Sequence, residues 1–338
     1  MMSVLAGLIF TILRNDVPKI DISTPEFAAH YCSLRYYATN PETQVPEGMG
    51  EGVHLIREID EALPDSITLR SGERKARSKE DRRVKDLYWS LLDSQVLSAA
   101  SLAEFKSRTA MMPEKIGGYL ETKPTFTKLQ DALAKSESAA KANSTVGKEI
   151  VSKRLAEWYV DIVLNRNFAY GFLLDRLVVK KLPSRIKVLV VPQLAGKGGI
   201  TLRTLDGVLV VIGCNRFEGM DFEEVLIHET IHALDAMESN VGMFVTLRRE
   251  LAEAKVDQSV IEQIVHTMVF MHAAEAVRKS VNVDHKDVGD TFGIYKSGIQ
   301  KHVDLLREPL RKYWASEITL EQLSKQVMKA LGTSVAKR

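Results

Sequence analysis

The stretch "GVLVVIGCNRFEGMDFEEVLIHETIHALDAM", residues 207–237, joins two kinds of pattern within one short segment. Val208–Gly213 is a β-branched apolar run ended by glycine, which predicts a strand. The apolar residues that follow Asp221 keep a helical period, and Asp221 is the expected N-cap. Glu223 and Glu224 stand in the first turn, where the helix dipole favours acidic side chains. The stretch therefore predicts a strand followed directly by a helix.

The chain before this stretch supplies the rest of a small sheet. "RIKVLVVP", Arg185–Pro192, is another short β-branched run, and Asp206-Gly207 is a turn signal between the two apolar strands. Elsewhere helical periods dominate, as in "EGVHLIREIDEAL" before the sheet. The polar stretch Lys135–Lys148 predicts a loop or linker, and a second loop is expected over Asn282–Gly293.

We therefore predict an α+β fold that is mostly helical, with a small sheet followed by an active-site helix. The predicted organisation is a helical N-terminal region over residues 1–180, a metal-binding catalytic domain over 181–332 and a short tail over 333–338. The length of 338 residues suits one large or two modest domains.

Composition narrows the class of protein. Apolar residues make up 45% and charged residues 27%, which is typical of a globular protein, and the net charge of +2 gives no reason to expect nucleic-acid binding. Acidic residues interrupt the basic run Arg70–Lys85, so it predicts a solvated helix face or connector. Cys32 and Cys214 lie too far apart in sequence to suggest a CxxC metal or redox site.

The N-terminal apolar run Ser3–Leu13 is too short to span a bilayer, so no transmembrane segment is expected. No Lys or Arg precedes the run, and no small-residue cleavage site follows it. A buried strand or helix is favoured over a signal peptide. This slightly favours a cytoplasmic over a secreted or periplasmic location.

The segment "HETIH" carries the residues with the most specific chemistry. Residues four apart share a helix face, so His228 and His232 can offer imidazole nitrogens to one zinc ion. Glu229 projects about a hundred degrees round the helix, where it can reach a metal-bound water as a general base. The alternative is that both histidines are core residues of an amphipathic helix without metal. Burying them without partners would be costly, which favours the metal site.

"VLIHETIHAL" resembles the active-site helix of the zincin metallopeptidases, the HExxH group. The resemblance implies that His228 and His232 are zinc ligands and that Glu229 is the general base. It also implies that the helix follows an edge strand that binds extended substrate, and "GVLVVIG" stands at that position.

A catalytic zinc site needs a third protein ligand. Gluzincins use a glutamate on a later helix, and Glu275, set between alanines, is the favoured residue. His272 is the substitute, and His266 is less favoured. Glu238 occupies the metzincin position, but Asp235 stands where that group has a glycine.

Two features depart from the better-known gluzincins. The residues before and four after the favoured glutamate are Ala274 and Lys279, where thermolysin-like enzymes have Asn and Asp. Asp235, one turn after His232, is either an outer acceptor for that imidazole or a surface charge.

Residues 273–314 also resemble the C-terminal part of an uncharacterised family of bacterial HExxH proteins, in which a Gly-x-Tyr segment follows the glutamate-bearing helix. That likeness makes Tyr295 in "FGIYKSG" the candidate for stabilising an oxyanion. His285 is the rival for the role, and an ordinary packed tyrosine is the alternative.

Taken together, these residues predict a zinc-dependent hydrolase, with a metallopeptidase acting on a peptide or protein substrate as the favoured class. Zinc is the expected cofactor. The alternatives are a catalytically inactive zincin-fold binding module and a helical scaffold without metal.

Overall fold

The computed structural model describes residues 19–63, 79–116, 120–180, 183, 185–196, 198–237 and 241–335. Most of these residues are helical and the larger sheet is small and mixed, so the predicted α+β class is confirmed. The apolar run Ser3–Leu13 and the residue Glu238 lie outside the described residues. No helix in the described part of the chain is both long and apolar enough to cross a bilayer.

The helices in chain order are α1 Glu26–Thr39, α2 Gly50–Ala62, α3 Lys79–Leu97, α4 Leu102–Ala110, α5 Thr122–Ala142, α6 Ser144–Arg176, α7 Gly219–Ala236, α8 Gly242–Glu253, α9 Gln258–Ser280, α10 Val288–Thr291, α11 Gln300–Trp314 and α12 Leu320–Val335. The strands are β1 Lys19–Ser23, β2 Lys115–Ile116, β3 Leu120–Glu121, β4 Arg185–Val191, β5 Gly199–Thr204 and β6 Gly207–Gly213. Tyr295–Ser297 forms a single 3₁₀ turn between α10 and α11.

The chain divides into two compact units, and each is discontinuous in sequence. The sheet unit comprises Asp21–Leu155 and Lys187–Phe217. The histidine unit comprises, for the most part, Ala156–Ile186 and Glu218–Arg338. The predicted boundary at residue 180 follows chain order, and it does not coincide with this division.

The larger sheet has the strand order β1-β4-β6-β5 within the described residues. β6 pairs in parallel with β4, through Val188 and Val210, and antiparallel with β5, through Thr201 and Val210. Gly207, with φ of 119°, completes the predicted turn between β5 and β6. Because β6 is an interior strand, its backbone groups are already paired on both sides. The expectation that "GVLVVIG" is a substrate-binding edge strand is therefore wrong.

The sheet unit has a dense core in which helices approach closely. A Cβ atom at Gly52 of α2 would lie 2.8 Å from the carbonyl oxygen of Ala132 on α5, so glycine permits this contact. Phe105 packs edge-on against Phe126, with ring centroids 5.8 Å apart. Cys32 and Cys214 are both buried and free of any disulfide.

The predicted linker at Lys135–Lys148 is wrong. Helix α5 runs to Ala142 and α6 begins at Ser144, so Asn143 alone separates the two helices. The alanines of this stretch are strong helix formers, and Lys141 pairs with Glu137 one turn earlier at 2.8 Å. A polar, small-residue stretch is helical here because helix propensity and pairing outweigh its low hydrophobicity.

The histidine unit is built on two buried helices, α7 and α9. Almost every residue of α7 from Phe222 to Leu234 is buried, as expected for a helix with apolar neighbours all round. The helix begins at Gly219 with Glu218 as N-cap, so the predicted N-cap Asp221 lies within the first turn instead. The predicted loop at Asn282–Gly293 contains the short helix α10.

Candidate metal centre

Helix α7 carries the first two histidines of a compact cluster. The Nε2 atoms of His228 and His232 lie 3.1 Å apart. Two nitrogens bound to one tetrahedral zinc ion, with bonds of about 2.0–2.1 Å, lie about 3.3 Å apart. The two imidazoles therefore already have nearly the spacing that one shared ion requires.

His266 of α9 completes the cluster. Its ring centroid lies 5.4 Å from that of His228 and 5.1 Å from that of His232. One nitrogen from each ring falls within a group whose members are all within 4.8 Å of one another. The three histidines are therefore close enough to bind a metal ion. The sequence alone favoured Glu275 and His272 over His266 as the third ligand.

Burial changes across the cluster. His228 is buried, His232 is half-buried and His266 is exposed. Solvent therefore reaches the cluster from the α9 side, which is the arrangement expected of a site that keeps a position open for water or substrate.

The contacts between α7 and α9 explain why His266 is the third histidine. His228 lies against Phe270, with ring centroids 4.1 Å apart, while His232 lies against His266. As residue numbers rise along α7 they fall along α9, so the two helices run antiparallel. This register brings residues near 266–270 to the histidine pair.

Arg248 on helix α8 forms salt bridges to both α7 and α9, at positions that agree with their antiparallel register. Arg248 donates to both carboxylate oxygens of Asp235, at 3.0 and 2.8 Å, and also to Glu262. Asp235 stands three residues after His232, and Glu262 stands four residues before His266. Arg248 therefore ties α7 to α9 about one turn from the cluster, and Asp235 is engaged by this arginine.

Glu275, the favoured third ligand, is not brought to the cluster. It lies nine residues beyond His266, which is about 13 Å along the helix and half a turn round it. Its carboxylate accepts a hydrogen bond from Arg278 at 2.9 Å, and Lys279 is 3.7 Å away. Among the described residues, the group within metal-binding distance is His228, His232 and His266, and Glu275 is not part of it.

His272 is also held elsewhere. Its Nδ1 donates to the carbonyl oxygen of Met268 at 2.8 Å, and its ring meets Trp314 edge-on at 5.4 Å. Burial lowers the pKa of His272 to about 4, so the ring is neutral at neutral pH. It is six residues from His266, or about two-thirds of a turn round α9, and belongs to the packing on another face.

Tyr295 is fully buried and lies near Phe270, the aromatic residue that contacts His228. Its ring lies 6.0 Å from that of Phe270, and its hydroxyl donates to Asp287 at 3.3 Å. A Cβ atom at Gly289 would fall 2.2 Å from the tyrosine ring, so that glycine makes room for it. Burial, reinforced by nearby carboxylates, raises the pKa of Tyr295 and keeps the phenol protonated.

His285, the rival for the oxyanion role, is paired with a residue of α7. Glu224, one turn before His228, accepts a hydrogen bond from His285 Nε2 at 2.6 Å and another from the Val288 N–H at 3.0 Å. Burial raises the pKa of Glu224, while His285 and Val288 act in the opposite direction. Glu224 thus fastens the loop after α9 to α7, a role that its predicted place in the first helical turn did not indicate.

Glu229 follows His228 directly on α7 and is only 7% exposed. A carboxylate at that position sits on the same turn as the two histidines and projects to the side of them. Its predicted role as general base stays a prediction.

The electrostatics of the cluster suit a cation. Burial holds the pKa of His228 well below its ordinary value, and the neighbouring imidazoles of His232 and His266 lower it further. Neutral imidazoles keep a lone pair for a metal ion. The Nδ1 atom of His228 is buried and has no hydrogen-bond partner among the described residues.

Three imidazoles form a donor set that fits zinc and also suits copper, iron or nickel. Three neutral imidazole donors would leave the full charge of a divalent ion available to polarise a water or a carbonyl group. The geometry therefore fits a metal site without selecting the metal.

Comparison of the chain with protein-family models, with curated proteins and with solved structures finds no match.

Proposed function

We propose that the protein is a zinc-dependent hydrolase, of the metallopeptidase class, with His228, His232 and His266 as the metal ligands. The observation that carries this proposal is the convergence of three imidazoles at metal-binding distance, open on one side, with Glu229 on the same helix turn. The choice of zinc and of a peptide substrate rests on the likeness of "HETIH" to the zincin helix.

Glu229 is the general base in this proposal. A zinc ion held by His228, His232 and His266 would supply a Lewis acid to activate water and polarise a substrate carbonyl. Glu229 accepts the proton from the attacking water and passes it to the leaving amine.

In this proposal the three histidines hold the metal in a fixed position. His228 and His232 are held on one rigid helix, so their nitrogens keep a fixed spacing. His266 approaches the other two imidazoles from α9, and substrate would reach the cluster from its solvent-exposed side. The role of Tyr295 in stabilising an oxyanion stays a prediction, since its hydroxyl donates to Asp287.

A binding module that holds metal without catalysis is the second candidate. Its support is that both predicted oxyanion groups have other partners: Tyr295 donates to Asp287, and His285 pairs with Glu224. Under this alternative Glu229 has no chemical task, so replacing it would change nothing but stability.

The first experiment measures zinc per chain by elemental analysis of the protein purified without a histidine tag. Wild type should hold about one zinc, His266→Ala should lose it, and Glu275→Ala, on the same helix, should keep it. Loss of zinc in Glu275→Ala with retention in His266→Ala would reverse the ligand assignment. No zinc in wild type after reconstitution would remove the metal site altogether.

The second experiment compares wild type with Glu229→Gln on a peptide library. The variant should keep zinc and lose cleavage by at least a hundredfold, the usual scale of general-base catalysis. Cleavage by neither protein, with zinc bound to both, would favour the binding module.

A further inference from the structure

A cavity of about 470 Å³ is formed entirely by residues of the sheet unit. Its walls include parts of α1, α5, the first turns of α6 and the end of β4, together with residues around Pro46–Met49 and Ala100–Leu102. That volume lies within the range of cavities that hold small molecules in proteins. None of its walls has a part in the metal chemistry proposed above.

Apolar side chains make up most of the lining. Leu133, Val151 and Val190 are buried core residues that also face the cavity. At the rim, Val146 and Ile150 stand one turn apart on α6 and are 63% and 40% exposed. Large apolar side chains left in water beside a cavity are typical of a ligand site. A largely apolar occupant would cover them.

The charged side chains of the described lining neutralise each other. Glu26 pairs with Lys148 at 2.5 Å, and Glu137 pairs with Lys141 at 2.8 Å. A charged ligand would need to displace one of these partners or lose its hydration without compensation. The lining therefore favours an uncharged molecule.

The imidazole of His30, which lines the cavity, offers one directional polar contact. The hydroxyl of Ser136 donates its proton to the carbonyl oxygen of Ala132 at 2.6 Å. It must therefore accept from His30 Nε2, which is 2.8 Å away. The neutral ring carries one proton, so Nδ1 of His30 is left as a hydrogen-bond acceptor.

The charge state of His30 agrees with this assignment. Burial lowers its pKa to about 4, partly offset by Glu137, so the ring is neutral at neutral pH. His30 Nδ1 has no hydrogen-bond partner among the described residues. A molecule in the cavity can satisfy this acceptor by offering a hydroxyl or amide proton.

We propose that this cavity binds an uncharged, largely apolar small molecule that donates one hydrogen bond, from a hydroxyl or an amide N–H, to Nδ1 of His30. The site is separate in chemistry from the histidine cluster and does not depend on metal.

The test is calorimetric titration of the full chain with three probes of similar size: 2-naphthol, 2-methoxynaphthalene and 2-naphthoate. 2-Naphthol should bind about three- to tenfold more tightly than 2-methoxynaphthalene, because only the former donates a hydrogen bond. The anion 2-naphthoate should bind more weakly than either. No binding of 2-naphthol, or equal binding of 2-naphthol and 2-methoxynaphthalene, would overturn the proposal.

Substitutions at His30 and in the cavity lining test where the probes bind. His30→Phe should abolish the preference for 2-naphthol, whereas the matched His54→Phe, at an exposed position on α2, should leave it unchanged. Ala140→Trp, which places a large ring in the cavity from its lining, should remove binding of both neutral probes. Unchanged preference in His30→Phe, or unchanged binding in a folded Ala140→Trp, would contradict the assignment.

Discussion

Each end of the α7–α9 helix pair holds a pair of polar side chains in contact, and the two pairs lie in different surroundings. At the buried end, the side chains of Glu224 and His285 are 1% and 3% exposed. At the open end, the side chain of Arg248 is 31% exposed and that of its partner Glu262 is 48% exposed. Removing one partner from a buried pair leaves a polar group without water, whereas at the open end water takes the place of the missing partner.

The two ends of the helix pair therefore contribute differently to the histidine cluster. The buried end holds His228 and the loop after α9 in one arrangement, and its contacts should contribute to the stability of the histidine unit. The open end holds His266, an exposed residue, and its contacts should contribute more to the position of that ligand than to stability. Each expectation can be measured separately.

The largest effect is expected at the buried end. Glu224→Ala should lower the free energy of unfolding by about 3 kcal/mol, because it leaves His285 and the Val288 N–H buried without their acceptor. Chemical denaturation of the metal-free protein measures this loss.

A double-mutant cycle checks that the loss belongs to the Glu224–His285 pair. His285→Ala and the double variant Glu224→Ala/His285→Ala should together give a coupling of at least about 1 kcal/mol. Strictly additive effects would show that the buried pair contributes nothing specific, and the contrast between the two ends would fail.

A second effect, at His272 on another face of α9, depends on pH. The pKa of His272 is lowered by burial to about 4, below an unfolded value near 6.5, so the unfolded chain binds one more proton between these values. Stability should therefore fall as pH drops through this window, by about 2 kcal/mol from this residue between pH 7 and pH 5.

The measurement is the free energy of unfolding against pH, in the presence of a chelator. His272→Leu should reduce the slope below pH 6.5, while His54→Leu, at an exposed position, should leave it unchanged. An unchanged slope in His272→Leu would mean that this histidine takes up its proton in the folded state as easily as in the unfolded one.

The two helices also differ in how far their sequences predict their roles. His228, Glu229 and His232 lie within five residues, so helical geometry alone fixes their relation. His266 is 34 residues further on, and its place depends on the antiparallel register between α7 and α9, which packing of the whole unit sets. Glu275 has suitable chemistry and stands among small residues, yet that register turns it away from the cluster.

In the sheet, too, local elements can be predicted from sequence, whereas their neighbours depend on distant segments. The strands at Arg185–Pro192 and Val208–Gly213 and the turn at Asp206-Gly207 follow from local pattern, and all three are present. The neighbours of a strand are set by distant segments, so the interior position of β6 was not foreseen. Its run of buried residues on both faces is the feature that indicates an interior strand.

At the open end, Arg248→Gln should weaken zinc binding about tenfold, because α7 and α9 lose the bridge that holds His232 and His266 together. Stability of the metal-free protein should change by less than the loss expected for Glu224→Ala, because Arg248 is 31% exposed and water can replace part of its contacts. Competition with a chromophoric chelator measures the affinity, and denaturation measures the stability.

The neighbouring residue provides a matched control. Arg249→Gln alters an arginine on the same helix that is 63% exposed and lies 3.8 Å from Glu250, so it should leave zinc affinity unchanged. Arg248→Lys, which keeps the charge without the forked geometry, should recover part of the affinity. Equal loss of affinity in both Gln variants would mean that net charge, and not the bridge, is responsible.

Tyr295 should show the smallest effect and decides between two roles. If the residue is a packed side chain, Tyr295→Phe loses one hydrogen bond to Asp287, costs about 1 kcal/mol of stability and leaves peptide cleavage nearly unchanged. If it stabilises an oxyanion, the same variant lowers kcat by about a hundredfold or more while zinc stays bound. The bond to Asp287 and the complete burial of the ring favour the first outcome. The second would mean that the buried end moves during the reaction, and the division of labour between the two ends would no longer hold.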